Sequence, residues 1–416
     1  MSHRQQASPA LGPRLAELGL LLYLAQIPLA AIVGPAAQAP AWVAILVGLL
    51  IVQGRAWSAS SRSAEFRCVW PTLAFFASFA LSILTSEDMV LSAGRAIFLP
   101  MGLLFFFGVQ AAEGSLDARR RLSALWLFVF GALGIQGLYQ AVMGEALLSN
   151  QQLYAGRIRS GLPHPNDIAL VPLVLPLVIW GVRASERPWM KLLGVLGLAL
   201  GLVSVLLSSS RNALIGVAVG FCVLTLFSRR RRLWWIGGGV AVLIGLVWVG
   251  VQPESALNRL IDPEILQRDG RIGLWLSAFE IFESHPLTGA GPFLFDRLYV
   301  AYLDSATLPA GYQPEQGYLP WVHNLYLEAL AERGLIGLMT LGILIAAALR
   351  RVGQGLRATP GAEVERHFAQ ALGACWAVFL VMGLLDMTFL KDWVLVVFML
   401  LVGLSAILPR PSSVSD

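Results

Sequence analysis

Apolar runs of about 20 residues recur along nearly the whole chain, and a run of that length crosses roughly 30 Å of hydrocarbon when wound as a helix. Inside a bilayer every backbone polar group needs an internal partner, which restricts spanning structures to helices and closed barrels. The runs are continuously apolar, without the alternation a barrel strand needs, so helices remain. The fold class expected is an all-α polytopic membrane protein. Twelve runs are traced, near residues 14–33, 40–54, 69–85, 94–112, 122–143, 166–183, 189–209, 212–228, 233–251, 334–350, 366–386 and 392–408. At 57% hydrophobic and 13% charged, the composition fits no ordinary soluble class.

Ala37-Gln38-Ala39, after the first run, resembles a cleavage site. The run is long and a second follows at once, which favours an uncleaved first helix. Cys68, Cys222 and Cys375 show no pairing or metal-ligand spacing. With both termini in the cytoplasm, the inner loops collect Arg55, Arg62, Arg67, Arg119 to Arg121, Arg229 to Arg232, Arg350, Arg351, Arg357 and Arg366. Twice as many Lys and Arg then fall inside as outside, the bias of cytoplasmic loops. Squeezed between two spans, the four-arginine run reads as an orientation signal and not as a nucleic-acid patch. The organisation expected is nine spans over 1–251, a large outer loop with short helices over 252–333, and three spans over 334–416.

Arginines facing outward run against that bias: Arg95, Arg157, Arg159, Arg211, Arg259, Arg268, Arg271, Arg297 and Arg333. The guanidinium fork suits phosphate oxygens, and several forks hold a diphosphate without a divalent ion. Plainer readings stand beside this one. Arg95 suits an interfacial anchor. The segment Ala155 to Asp167, which holds Arg157, Arg159 and His164, suits a turn capped by Asn166 or Asp167. Arg211 lies in the tight hairpin Ser208-Ser209-Ser210-Arg211-Asn212, where a charge drawn to mid-bilayer would cost about 3 kcal/mol.

The outer loop is long enough to carry function. Arg271 leads an amphipathic piece whose Trp275, Ala278, Phe279 and Phe282 share one face, stopped by Pro286. Gly289-Ala290-Gly291-Pro292 lacks the strand context of a nucleotide fingerprint and reads as a tight turn. Tyr299, Tyr302, Tyr312, Tyr318 and Tyr326, with Trp321, suit sugar stacking or an interface belt. Asp386 and the pair Lys391-Asp392 read as local charge pairs.

His323-Asn324 opens a short helix that reads as a surface element, with Glu328 and Glu332 as an acidic stripe and Gly334 as its end. The positive end of the helix dipole favours a neutral imidazole, which suits a general base. A cap or a structural hydrogen bond is the alternative for a histidine there.

The spacing His323-Asn324, nine residues, Gly334, two residues, Gly337 resembles the signature of the O-antigen ligase family of membrane glycosyltransferases. Ser210-Arg211-Asn212, Arg159 with Gly161 and Asn166, and Arg271 through Trp275 to Pro286, Gly289 and Gly291 resemble the wider superfamily, as does the layout with a large outer loop before the tenth span. The resemblance implies a GT-C-like glycosyltransferase in the bacterial inner membrane. It would move a finished glycan from undecaprenyl diphosphate to lipid A-core oligosaccharide on the periplasmic face, with inversion and without metal or cofactor. His323 would take or orient the acceptor proton, and Arg159, Arg211 and Arg271 would hold the diphosphate. Asn324 would position His323 or the acceptor, with Arg157, Arg95, Arg297 and Glu328 as further substrate-side candidates. Polymerases and protein O-oligosaccharyltransferases with the same donor are the nearer rivals. A flippase is the more distant one, and it would need polar residues along mid-membrane that these runs lack.

Overall fold

In the computed structural model, residues 67–112, 116–147, 151–227, 271–303, 321–357 and 362–408 are described. The runs at 14–33, 40–54 and 233–251 lie outside the described residues, as do Arg229 to Arg232, Arg259, Arg268, Tyr312 and Tyr318. The other runs all fall on helical backbone. Among the described residues the only extended pairings are two isolated bridges, Glu145 with Gln152 and Tyr154 with Arg157.

The helices are α1 (Val69–Leu84), α2 (Met89–Arg95), α3 (Leu99–Ala112), α4 (Leu116–Met143), α5 (Leu170–Ala184), α6 (Pro188–Leu207), α7 (Arg211–Phe227), α8 (Arg271–Ser284), α9 (Phe295–Leu298), α10 (Leu325–Leu356), α11 (Glu363–Gly383) and α12 (Asp392–Ala406). Five helical stretches among the described residues are long and apolar enough to cross a membrane: Met89–Gln110, Leu116–Met143, Pro165–Ala184, Pro188–Leu207 and Leu325–Leu356. α10 and α11 form the middle of the bundle. α10 packs on α1, α8, α11 and α12, while α11 packs on α5, α7 and α12. α12 is buried on every face from Val394 to Ala406, as befits a helix apolar all round. α6 is its opposite, leaving Trp189, Leu192, Leu193, Val195 and Leu196 largely exposed.

The element that positions the candidate site is α10, which is broken at Gly334 (φ 63, ψ −163). In an unbroken helix the carbonyls of Ala331 and Glu332 would accept from the amides of Leu335 and Ile336, four residues on. Here they accept instead from Ala290 N and Gly291 N, at 3.0 and 3.1 Å. The displaced amides donate to Pro286 O and Leu287 O, at 2.9 and 3.2 Å. The segment 286–291 is thus spliced into the backbone ladder of α10. A Cβ on Gly334 would lie 2.4 Å from the carbonyl carbon and oxygen of Leu287, and one on Gly289 would lie 2.2 Å from the carbonyl carbon of Glu332. The segment read as a tight turn at 289–292 instead crosses a helix at backbone contact, with Gly289 and Gly291 both at positive φ.

The first turns of α10 are not the surface helix their charges suggested. Leu325, Glu328, Ala329, Ala331, Glu332 and Arg333 are all buried. The acidic stripe faces inward because its carboxylates serve as acceptors for loop backbones. Glu328 takes the amide of Phe389 at 2.9 Å, and Glu332 takes that of Phe295 at 3.4 Å. Arg333 is buried with them, 4.0 Å from the ring centre of Phe79, with Phe75 and Phe389 beside it. α8 also turns further than its apolar pattern implied. Leu274, Ala278 and Ile281 are buried, whereas Phe279 is exposed.

The splice makes Gly334 a stability determinant. Gly334→Ala is expected to cost about 2 kcal/mol or more, from a left-handed backbone that alanine disfavours and from overlap with Leu287. Gly342 has nothing within 4 Å of its would-be Cβ. Gly342→Ala should therefore be neutral or stabilising by up to ~1 kcal/mol. Thermal unfolding of both variants in detergent checks this, and equal melting temperatures would refute it.

Candidate functional site

The connection between α11 and α12 carries Asp386, whose carboxylate is fully buried. Asp386 N bonds back to Met382 O at 3.1 Å, and the Glu328 carboxylate holds the far side of the loop through Phe389 N. The carboxylate is met by four residues from three separate parts of the chain. Its Oδ1 lies 2.5 Å from His323 Nδ1 and accepts from Trp321 Nε1 at 3.3 Å. Its Oδ2 accepts from Asn166 Nδ2 at 2.5 Å and lies 3.8 Å from the guanidinium of Arg271.

His323 sits with φ 54, just before the N-cap of α10. Asn324 fills that cap: its side-chain oxygen accepts from Tyr326 N at 3.0 Å and Leu327 N at 3.1 Å. An ionised carboxylate only accepts, so its bond to Nδ1 assigns the proton of a neutral imidazole to Nδ1 and the lone pair to Nε2. Burial alone would raise the Asp386 carboxyl. The charge and hydrogen bond of His323, with Arg271 and Lys391, outweigh it and hold the group well below the usual carboxylate range.

A second layer fixes the first. Arg157 donates through Nε to Ser208 O and through a terminal nitrogen to Asn166 Oδ1, each at 2.8 Å. The Asn166 amide therefore points its oxygen to Arg157 and its nitrogen to Asp386. Lys391 Nζ lies 2.7 Å from Asp167 Oδ1 and 4.3 Å from the ring centre of Trp321. The Trp321 ring leans on His323, with centres 4.8 Å apart. On its other side Trp321 meets the His164 ring at 6.5 Å. His164 meets Tyr154 at 4.8 Å, and Arg159 lies 5.0 Å over Tyr154. Arg159 also donates to Pro163 O at 3.4 Å.

Of the residues singled out from sequence, His323 and Arg271 meet at Asp386, Arg157 reaches it through Asn166, and Arg159 ends the row of rings. Arg211 opens α7, half-buried, three residues beyond the Ser208 carbonyl that Arg157 holds. The next residue, Asn212, is 5% exposed, and neither polar atom of its amide has a partner among the described residues. Arg95 and Arg297 meet at a different carboxylate. Arg95 grips Asp296 with both terminal nitrogens and donates to Phe293 O, which pins the outer loop to α2. Arg297 lies 4.0 Å from the same Asp296, with 67% of its side chain exposed.

Sequence reasoning missed Asp386, taken there for a local charge pair, and Trp321 as its ligand. The available signal was one ionisable residue in the apolar stretch Leu384 to Leu390, which in a membrane protein is a functional candidate by default. Among the described residues no group of three or more His, Cys, Asp or Glu is arranged to hold a metal ion.

His164 proves to be a cap. Its Nδ1 accepts from Asn166 N at 3.1 Å, and Asp167 accepts from His164 N at 3.0 Å. Burial, then the charge of Lys391, lowers it to about 4. The unfolded chain, with a histidine near 6.5, therefore binds more protons between those two values, and stability falls as pH drops through that window. Asparagine also caps well. His164→Asn is expected to flatten the slope of melting temperature against pH between about 6.5 and 4 while leaving it unchanged above pH 7. Parallel slopes for both proteins would contradict the assignment.

Residues 196–342 match a family model described as O-antigen ligase. No curated protein matches the chain. The matched stretch runs from α6 to the kinked α10, so it contains Arg211, Arg271, the splice and His323, while Asp386, Asn166 and Arg157 reach the site from outside it. Over that stretch, this helical membrane protein is similar to the O-antigen ligase family.

Proposed function

We propose that the protein is an O-antigen ligase that moves a completed glycan from undecaprenyl diphosphate to lipid A-core oligosaccharide, at the periplasmic face of the bacterial inner membrane, as an inverting GT-C-type glycosyltransferase. The observation that carries this reading is the buried pair of His323 and Asp386, 2.5 Å apart, with Arg271 at the same carboxylate. A histidine oriented through Nδ1 by a carboxylate presents Nε2 as a base. Arginines around it suit a leaving diphosphate.

In the reaction proposed, an acceptor hydroxyl oxygen attacks the anomeric carbon from the side opposite the diphosphate. His323 Nε2 takes the hydroxyl proton as the new carbon–oxygen bond forms. The bond from the anomeric carbon to the diphosphate oxygen breaks, and its electron pair leaves with the diphosphate. Asp386 stabilises the imidazolium that results. Arg211, Arg271 and Arg159 supply positive charge where negative charge grows, the place where fixed donors contribute most. Asn212, a buried amide without a partner among the described residues, suits the same polar ligand. The Tyr154, His164 and Trp321 rings pack between Arg159 and His323 and so hold these two groups in one row.

A polymerase or a protein O-oligosaccharyltransferase would use this machinery on another acceptor. A flippase has no need of an oriented base, so the His323–Asp386 pair favours the enzyme.

The assay is transfer from lipid-diphosphate glycan to lipid A-core by the purified full chain. Asp386→Asn keeps the shape and loses the charge, and is expected to lower kcat by about 10²- to 10⁴-fold with little change in acceptor KM, as is His323→Ala. Near-normal turnover in either would sink the base assignment. Transfer to a second lipid-linked glycan, with none to lipid A-core, would replace the ligase by the polymerase. Arg211→Lys keeps charge and loses the fork, so a loss of about tenfold or more is expected, and an unchanged rate would argue against bidentate phosphate binding.

A further inference from the structure

We infer that Asn212 reads the sugar joined to the donor's diphosphate, its amide nitrogen donating to one ring hydroxyl and its amide oxygen accepting from the neighbouring one. The inference rests on the reaction proposed above and adds to it a residue that selects the donor.

The packing of α7 places this side chain. A Cβ on Gly220 would lie 3.2 Å from Val378 Cγ2 and 3.7 Å from Pro176 Cγ. One turn toward the start of α7, a Cβ on Gly216 would lie 2.4 Å from Met382 Sδ and 3.0 Å from Pro172 Cβ. α7 therefore runs antiparallel to α11 and parallel to α5, and each turn of one helix is matched by a turn of the other two. One further turn brings Asn212 to the level of Asp386 and Ile168. Helical backbone continues that far on both neighbours: Asp386 N still bonds to Met382 O, and Ile168 lies in the 3-10 turn Pro165–Ala169 that leads into α5. A separate link agrees. Arg157 ties the Ser208 carbonyl, one turn before Asn212, to the Asn166 amide that donates to Asp386. Asn212 thus stands in the wall between Arg211 and Asp386.

Chemistry then narrows the ligand. Asn212 is 5% exposed, and its Nδ2 and Oδ1 both lack a partner among the described residues. A buried donor and acceptor left unmet are costly, so the pair suits a ligand that accepts and donates at adjacent positions. An ionised phosphate only accepts, which would serve Nδ2 and leave Oδ1 unmet. An acyl chain does neither. Neighbouring hydroxyls of a sugar do both, and in a lipid-diphosphate glycan only the sugars carry them. The first sugar is the one in place. Its anomeric carbon must lie between the leaving diphosphate, assigned to Arg211, and the base His323, held by Asp386. Asn212 stands between the same two groups. A donor whose first sugar lacks these hydroxyls would leave both amide atoms unmet, which makes the residue a means of rejection as well as of binding.

The test is native mass spectrometry of the purified full chain in mild detergent, titrated with undecaprenyl diphosphate carrying one hexose or with bare undecaprenyl diphosphate. Asn212→Leu keeps the volume and removes both polar atoms. It is expected to lower affinity for the hexosyl lipid about tenfold or more, at roughly fivefold per hydrogen bond, and to leave affinity for the bare lipid unchanged. Should the leucine variant fold poorly, Asn212→Ala is expected to show the same selective loss. An equal loss for both lipids would overturn the inference, by placing the amide on phosphate or in a merely structural role. Undiminished affinity for the hexosyl lipid would also overturn it, by leaving the amide to a structural water. Wild type binding neither lipid would refute the proposed reaction itself, whereas the two preceding outcomes refute only the assignment of Asn212.

Discussion

The exchange of backbone hydrogen bonds at Gly334 is the constraint on which the outer half of the molecule depends. A break in a buried helix ordinarily strands donors and acceptors, each costing about 1 to 3 kcal/mol. Here segment 286–291 accepts from the stranded amides and donates to the stranded carbonyls, so the break leaves all four groups satisfied. That segment is the direct continuation of α8, so the splice also sets where α8 lies against α10. Arg271 begins α8, and His323 stands just before α10. The distance between two chemically active residues some fifty positions apart is therefore governed by a backbone crossing that contains neither.

The same economy of parts appears at Asp386. One carboxylate orients a histidine, fixes an amide whose other end is held by Arg157, accepts from an indole, and faces a guanidinium. Groups that share one acceptor do not act independently. Losses on removing Asn166, Trp321 or Arg271 singly will each include disturbance of His323, and their energies will not add. Charge is also unequal here: Arg157, Arg271 and Lys391 surround two buried acids, Asp386 and Asp167, an excess of one cation that suits an anion.

Much of this was legible in sequence, for identifiable reasons. Continuous apolarity gave the helices, since nothing else spans hydrocarbon, and the described helices lie where those runs do. Arg271 and His323 stood out because charge or imidazole beside a helix start is rare in so apolar a chain. The orientation of the first turns of α10 was misread because Glu328, Glu332 and Arg333 look solvent-facing. Their burial depends on the amides of Phe389 and Phe295 and on three phenyl rings, all supplied from distant sequence. Asp386 was overlooked for the converse reason: its neighbours Lys391 and Asp392 offered a local explanation, whereas its real partners come from three other segments. Arg95 looked functional for its sidedness alone, and only the fold reveals Asp296 beneath it.

The splice also carries a consequence for biogenesis. A helical span closes its own backbone bonds and so inserts into a bilayer as an autonomous unit. α10 is not autonomous at its outer third, where it borrows donors and acceptors from residues made some forty-five positions earlier. Insertion of the spans alone would leave this third of the helix as an ordinary straight rod, with Ala331 bonded to Leu335. The kinked form requires segment 286–291 to trade bonds with it. The kinked form of α10 is therefore a product of tertiary contact with segment 286–291 and not of the helix closing its own backbone bonds.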